Sequence, residues 1–245
     1  RYINLTFNYF GNFYRIIAMN RILHIVVAAG SGRRFGAELP KQFHLIGERP
    51  ALMLAVDAMR RYGCGGTVVT VLNPDYIGYW TEVCVSAGFD PGPIVAGGST
   101  RWESVKNAVD ACGADADIIT VHDGARPLVG RCVVEAVVAA VASGAKGAVP
   151  VVALSDSIRH VGAYGSSKAV DRAAYVAVQT PQGFSGMEFR QAYGMPYSQA
   201  FTDDASVMEA AGYDVRLVEG SPVNIKVTNP SDIAIAELLL RQCND

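Results

Sequence analysis

The chain reads as an α/β protein: a mostly parallel sheet with helices on both faces, plus a protruding β-arm. Three observations predict it. Apolar strand-like runs alternate with helical patterns along the chain, the signature of β-α-β crossovers. The first run, Ile22–Ala28 (ILHIVVA), is apolar without alternation, as a strand buried on both faces must be. With 245 residues, 50% of them hydrophobic, there is material for a large core.

The elements follow in order. Leu52–Tyr62 reads as a helix, Thr67–Leu72 as a strand, Tyr76–Ala87 as a helix and Ile94–Val95 as a short strand. Thr100–Cys112 is a helix with Trp102, Val105, Val109 and Cys112 on one face and a Thr100/Glu103 capping box. Asp117–Val121 is a strand, Arg131–Ala142 a helix and Ala148–Val152 a strand. The pattern breaks at Ser157–Val170 (SIRHVGAYGSSKAV), polar and glycine-bearing, which reads as a hairpin arm. Ala174–Val178 is a strand, Gly186–Tyr193 and Asp203–Ala211 are helices, and Val215–Val218 is a strand. The last helix, Asn229–Cys243, opens with Asn-Pro as cap and first position. Ligands of such a sheet sit outside the carboxyl ends of its strands, so Gly30, Gly97–Gly98 and His122–Asp123 should share one rim.

Net charge is −2, so no global basic field recruits nucleic acid, and any anion site must be built locally. The five cysteines (Cys64, Cys84, Cys112, Cys132, Cys243) form no C-x-x-C pair, and their odd number and wide spacing suggest reduced, buried thiols in a cytoplasmic protein. His24, His44, His122 and His160 show no zinc-ligand spacing. Residues 1–18, RYINLTFNYFGNFYRIIA, are rich in Tyr, Phe and Asn, contain no acid, and are too short and polar to span a membrane. Met19 directly precedes the first strand. It is the expected natural start of a single domain over residues 19–245, with 1–18 as upstream sequence; an extension packed on that domain is the competing reading.

The loop after the first strand, AAGSGRRFGAELPKQF (Ala28 to Phe43), carries chemistry. A dinucleotide fingerprint needs its third glycine where Phe35 stands, and a P-loop needs Lys followed by Ser or Thr, whereas Gln42 follows Lys41. Glycine amides combined with Arg33, Arg34 and Lys41 suit a triphosphate whose charge must be held during attack. The alternative is a glycine turn with solvated basic residues. GGSTR (Gly97–Arg101), with Ser104 one turn on, could admit a base or ribose, or merely cap a helix. HDGARP (His122–Pro127) puts Asp123 at a strand tip, fit for Mg²⁺ or a hydroxyl-bearing substrate, with Arg126 for a phosphate; a turn-fixing Asp–Arg pair is the alternative. His122 reads as a packed residue rather than a base. Arg172 is either a surface charge or a ligand. Lys226, inside the apolar strand-like Asn224–Thr228, has to point at something, and an anion suits it. Thr202-Asp203-Asp204 reads first as helix capping. There is no G-x-S-x-G elbow and no H-E-x-x-H, so the equipment points to phosphate chemistry.

Taken in order, AAGSGRRFG…PKQF, GGSTRWESV, HDGARP, QTPQGF, TDDAS and VEGSPVNIKVTNPSD resemble the 2-C-methyl-D-erythritol 4-phosphate cytidylyltransferases of the non-mevalonate isoprenoid pathway, over about residues 22–241. The resemblance implies a Rossmann-like fold and a homodimer in which an arm, here about Ser157 to Arg172, reaches over the other subunit's site. It implies transfer of CMP from CTP to methylerythritol phosphate, with Mg²⁺ and release of pyrophosphate. Ala28, Ala29, Gly30, Gly32, Arg33 and Arg34 would surround the triphosphate; Gly98, Ser99 and Ser104 would lie near cytosine and ribose. Arg34 and Lys41 match transition-state stabilisers, and Arg172 and Lys226 match the residues that place the substrate phosphate. Asp123, Arg126, Ser157 and Thr180 would hold the methylerythritol part. Three positions depart: Gly124 where Ala is more frequent, Ser99 where Asp is, and Ser157 where Thr is. The nearest rival is a ribitol 5-phosphate cytidylyltransferase. Rivals of other classes are a dinucleotide-dependent oxidoreductase and a non-catalytic nucleotide sensor.

Overall fold

The computed structural model describes residues 20–30 and 39–244; the reading of 1–18 as an extension lies outside them, as do Gly32, Arg33 and Arg34. In chain order the strands are β1 (Ile22–Ala28), β2 (Leu45–Ile46), β3 (Arg49–Pro50), β4 (Thr67–Leu72), β5 (Ile94–Ala96), β6 (Ile118–Asp123), β7 (Gly147–Ala153), β8 (Arg159–Val161), β9 (Ser167–Ala169), β10 (Val176–Val178), β11 (Gln182–Ser185) and β12 (Val215–Glu219). The helices are α1 (Ala51–Tyr62), α2 (Ile77–Ser86), α3 (Arg101–Cys112), α4 (Arg131–Ala142), α5 (Gly186–Tyr193), α6 (Asp204–Ala210) and α7 (Ser231–Asn244).

An eight-stranded sheet runs β10-β7-β11-β6-β1-β4-β5, with β12 also paired to β7. β1 pairs in parallel with β4 and β6, and β4 with β5, which aligns their carboxyl ends on one rim. β11 and β10 run antiparallel to their neighbours, so the sheet is mixed but mostly parallel, as expected. Unbroken apolar runs account for the centre: every residue of β6 is buried, and so is all of β1 except partly buried Val27. One core cluster packs α3 and α5 against one face through Val105, Val109, Phe189 and Tyr193; another packs α1 and α2 on the other through Leu52, Met59 and Trp80. β8 and β9 pair only with each other, and their residues are exposed, as the arm reading expects.

Four readings need correction. The face of α3 buries Val105, Ala108 and Val109, while Cys112 is exposed. Cys132 is exposed too and only Cys84 is fully buried, so the free thiols are not uniformly core residues; the side chain of Cys243 lies outside the described residues. The segment Asn224–Thr228 is not a strand: it is irregular, held to the sheet rim by Val227 N–H donating to the Ala125 carbonyl at 2.8 Å. α7 begins at Ser231 rather than Asn229, with the Asp232 carboxylate accepting from the backbone of Thr228 and Asn229. Among the described residues, no helix is long and apolar enough to cross a membrane.

Candidate active site

A cleft of about 580 Å³ opens at the carboxyl ends of β1, β4 and β6. Its walls include Ala28, Ala29, Gly30, Lys41, Gly98 and Ser99, with Ser104, Asp123 and Lys226; of the other described residues expected from the sequence, Arg126, Ser157, Arg172 and Thr180 do not line it. Three separate strand tips thus meet, because parallel pairing brings them level.

Each wall has a local cause. The end of β1 is held by buried Gln42, whose amide donates to the carbonyls of Ala28 at 2.7 Å and Gly30 at 3.2 Å. That places Lys41, next to it in a single helical turn, at the cleft. Opposite, the capping box forms as expected: Thr100 Oγ1 accepts from Glu103 N–H, and Glu103 reaches back to Thr100 N–H. The Glu103 carboxylate also accepts from the amide and hydroxyl of Ser99, fixing the loop residue on the ligand side. Ser104 Oγ accepts from Gly98 N–H and donates to the Thr100 carbonyl. Gly97 is needed for close approach, since a Cβ there would stand 2.4 Å from Ala29 Cβ.

Asp123 ends β6 on the cleft floor. Its Oδ2 accepts from Lys226 Nζ at 2.6 Å and lies 3.8 Å from Arg126 Nε; its Oδ1 lies 3.7 Å from Arg101 Nη2. Burial opposes charge on this carboxyl, yet Arg101, Lys226 and Arg126 together hold it far below the usual carboxylate range. Its backbone N–H donates to Thr180 Oγ1 at 3.0 Å, and Thr180 also meets His122 Nδ1. His122 and Thr180 therefore support the floor from within. Burial keeps His122 neutral, its pKa pulled down to about 4.

Arg126 is buried beneath the cleft, donating to the carbonyls of Asn224 at 2.7 Å and Val178 at 3.4 Å; its guanidinium anchors the Lys226 segment to the floor. Ser157 and Arg172 are exposed at the foot of the arm and do not line this cleft, and Arg172 donates to the Ser155 carbonyl. Two residues that the sequence reading did not single out also shape the site: Gln42, and Arg101, which lines the cleft and pairs with buried Asp204 at 2.6 Å.

Among the described residues Asp123 is the only carboxylate lining the cleft and already faces three cations, and no three His, Cys, Asp or Glu side chains cluster. These residues do not make a protein-built Mg²⁺ cage; they fit an ion carried on phosphate oxygens.

A family model described as 2-C-methyl-D-erythritol 4-phosphate cytidylyltransferase matches residues 22–242. The enzyme of that name from Bacteroides fragilis is 41% identical over 222 residues, covering 88% of this chain and 98% of its own. The one from Phocaeicola vulgatus is 40% identical, covering 91% and 100%. The crystal structure of the Thermus thermophilus enzyme superposes with a TM-score of 0.69 at 31% identity, over 91% of this chain and 100% of that one. These matches do not favour the ribitol 5-phosphate alternative. The chain belongs to the 2-C-methyl-D-erythritol 4-phosphate cytidylyltransferase family and is a nucleotidyltransferase, an enzyme that transfers CMP from CTP to 2-C-methyl-D-erythritol 4-phosphate.

Proposed function

We propose that the cleft performs this transfer by direct in-line displacement, with the substrate phosphate oxygen attacking the α-phosphorus of CTP. The observation that carries the reading is the convergence of Lys41, Arg101 and Lys226 on one rim whose single carboxylate among the described residues is already paired. Two polyanions repel each other, and such a rim lowers the cost of bringing them together. A phosphate ester has its second pKa near about 6, so the nucleophile arrives ionised and needs no general base. That agrees with His122 being turned to the Arg126 carbonyl and Thr180 rather than to the cleft.

In this reading Ala28, Ala29, Gly30, Gly32 and Arg33 surround the triphosphate, and Gly98, Ser99 and Ser104 face the nucleoside. Arg34 and Lys41 neutralise charge as pyrophosphate leaves. Asp123 takes a hydroxyl of the methylerythritol chain, and Lys226 takes its phosphate. Arg126 and Thr180 serve the same substrate by holding the floor under it. When bound on the triphosphate, Mg²⁺ supplies further charge neutralisation at the phosphate oxygens. Ser157 and Arg172 act in trans: the exposed arm of one subunit covers the cleft of a second copy, making the enzyme a homodimer. The free thiols support a reducing, cytoplasmic setting.

The test is pyrophosphate release from CTP across a panel of sugar phosphates. Release with methylerythritol phosphate, and far less with ribitol 5-phosphate, is expected. Equal or greater release with ribitol 5-phosphate overturns the acceptor, and no release with any overturns the activity.

A further inference from the structure

Arg101 stands between two carboxylates. Its Nη2 is 2.6 Å from Asp204 Oδ2 and 3.7 Å from Asp123 Oδ1. Asp204 is fully buried, and its second oxygen accepts from Tyr193 Oη at 2.6 Å. Tyr193 is in turn locked, stacked on Trp102 at 5.7 Å and packed on Phe189 at 4.6 Å. The geometry shows which carboxylate wins the guanidinium: Asp204 holds it in hydrogen-bond contact and Asp123 does not. Asp123 Oδ1 therefore makes no hydrogen bond within the described protein, while Oδ2 is taken by Lys226.

We infer that Asp204 and Tyr193 are positioning residues that keep Arg101 off Asp123, so that Arg101 and Asp123 together present a donor and an acceptor to one hydroxyl of the acceptor substrate. A hydroxyl can give a proton to Asp123 Oδ1 and take one from Arg101 at a single oxygen, and the acceptor substrate is rich in hydroxyls. The 3.7 Å gap leaves room for such an oxygen at its edge. Without the Asp204 carboxylate, the strongest remaining partner for Arg101 is Asp123, and closure of that ion pair would cover Oδ1. The ligand half of the inference rests on the function proposed above, in which Asp123 meets the methylerythritol chain.

The experiment is a double-mutant cycle on the full chain, with Tyr193→Phe, Asp204→Asn, Asp123→Asn and the pair Asp204→Asn/Asp123→Asn. Asp204→Asn should raise the KM for methylerythritol phosphate by about tenfold, and Tyr193→Phe by less, with kcat and the KM for CTP nearly kept. In the Asp123→Asn background, Asp204→Asn should add nothing. A purely structural role would lower Tm without this split, and its effect would persist in that background. An equal KM increase in both backgrounds overturns the inference while leaving the proposed function standing. If Asp204→Asn does not fold, Tyr193→Phe, which keeps the packed ring, carries the test, and an unchanged KM there overturns the inference. A wild-type chain with no turnover of methylerythritol phosphate overturns the proposed function, and the ligand named here with it.

Discussion

Lys226 places its ammonium nitrogen 2.6 Å from Asp123 Oδ2, across 103 residues of sequence. The pair closes the cleft floor, and each partner restrains the other. Lys226 is half-exposed and has hydrogens to spare for an incoming phosphate, whereas Asp123 is nearly enclosed. Lys226→Ala should therefore act mainly on the acceptor, raising the KM for methylerythritol phosphate with little change in CTP binding. Titration calorimetry with each ligand checks this; a loss confined to CTP would contradict it.

Lys41 is assigned to the leaving pyrophosphate. Lys41→Ala should lower kcat by at least about a hundredfold, as loss of one preorganised charge donor typically does. Single-turnover release of pyrophosphate is the measurement, and near-normal turnover would remove Lys41 from the chemistry.

Arg172 does not line the cleft of its own chain, and this leads to a prediction about assembly. Arg172→Ala and Lys41→Ala homodimers should each be nearly inactive. Mixed dimers would contain one site with both residues intact, and should regain activity toward a quarter to a half of wild type depending on exchange, on the mass-action logic of a shared site. No recovery in verified mixed dimers would contradict arm exchange.

Gly97 separates its strand end from Ala29. An added Cβ would meet Ala29 Cβ at 2.4 Å, Ser104 Oγ at 3.0 Å and the Leu72 carbonyl at 3.2 Å. Two of these contacts are rigid, so Gly97→Ala should cost about 1–3 kcal/mol of stability, the usual range for overpacking, and weaken CTP binding. Urea unfolding and CTP titration read the two effects separately.

Two buried histidines set an acid limit. Burial lowers His24 and His122 to about 4 from an ordinary 6.5. His24 is locked between Thr120 Oγ1 at 2.7 Å and the Gly63 carbonyl at 2.8 Å. A folded-state pKa below the unfolded one means that the unfolded chain binds protons first. Stability is then complete above about 6.5 and falls as pH drops toward 4, by on the order of 3 kcal/mol per histidine. Asp123, depressed below the usual carboxylate range by its cations, contributes at still lower pH. Urea midpoints between pH 7 and 4.5 measure this, and a flat profile would contradict it.

The central sheet was legible because its strands are continuous apolar runs between turns, and Arg131–Ala142 and Gly186–Tyr193 fall at the expected bounds. β11 was not legible. QGFS is short, polar and glycine-bearing, and it is a strand because it is inserted between β6 and β7. The cleft was legible where glycines and charges follow strands, as at Gly30, Gly98 and Asp123. It was not legible at Arg101 or Asp204. Asp203 and Ser206 satisfy the helix cap between them, Asp203 accepting from Ser206 N–H and Ser206 Oγ from Asp203 N–H, which leaves the adjacent Asp204 to turn inward; only the fold shows that it meets Arg101. Lys226 was read as a strand residue aimed at an anion; it lies on an irregular segment. The protein anion it meets is Asp123, and the segment is tied down at Asn224 by Arg126, Gln179 and Thr180 and at Val227 by Ala125.

The proposed reaction is a one-step attack of the substrate phosphate on the α-phosphorus, with no covalent enzyme intermediate. Ser104, a hydroxyl in the cleft wall, is committed to Gly98 and Thr100, and neither buried histidine faces the cleft as a base. The most direct measurement uses CTP made chiral at the α-phosphorus by sulfur substitution, with methylerythritol phosphate as acceptor. A single in-line displacement gives inversion at phosphorus, which is the predicted result; retention, the mark of two successive displacements through an enzyme-bound nucleotide, would contradict the account.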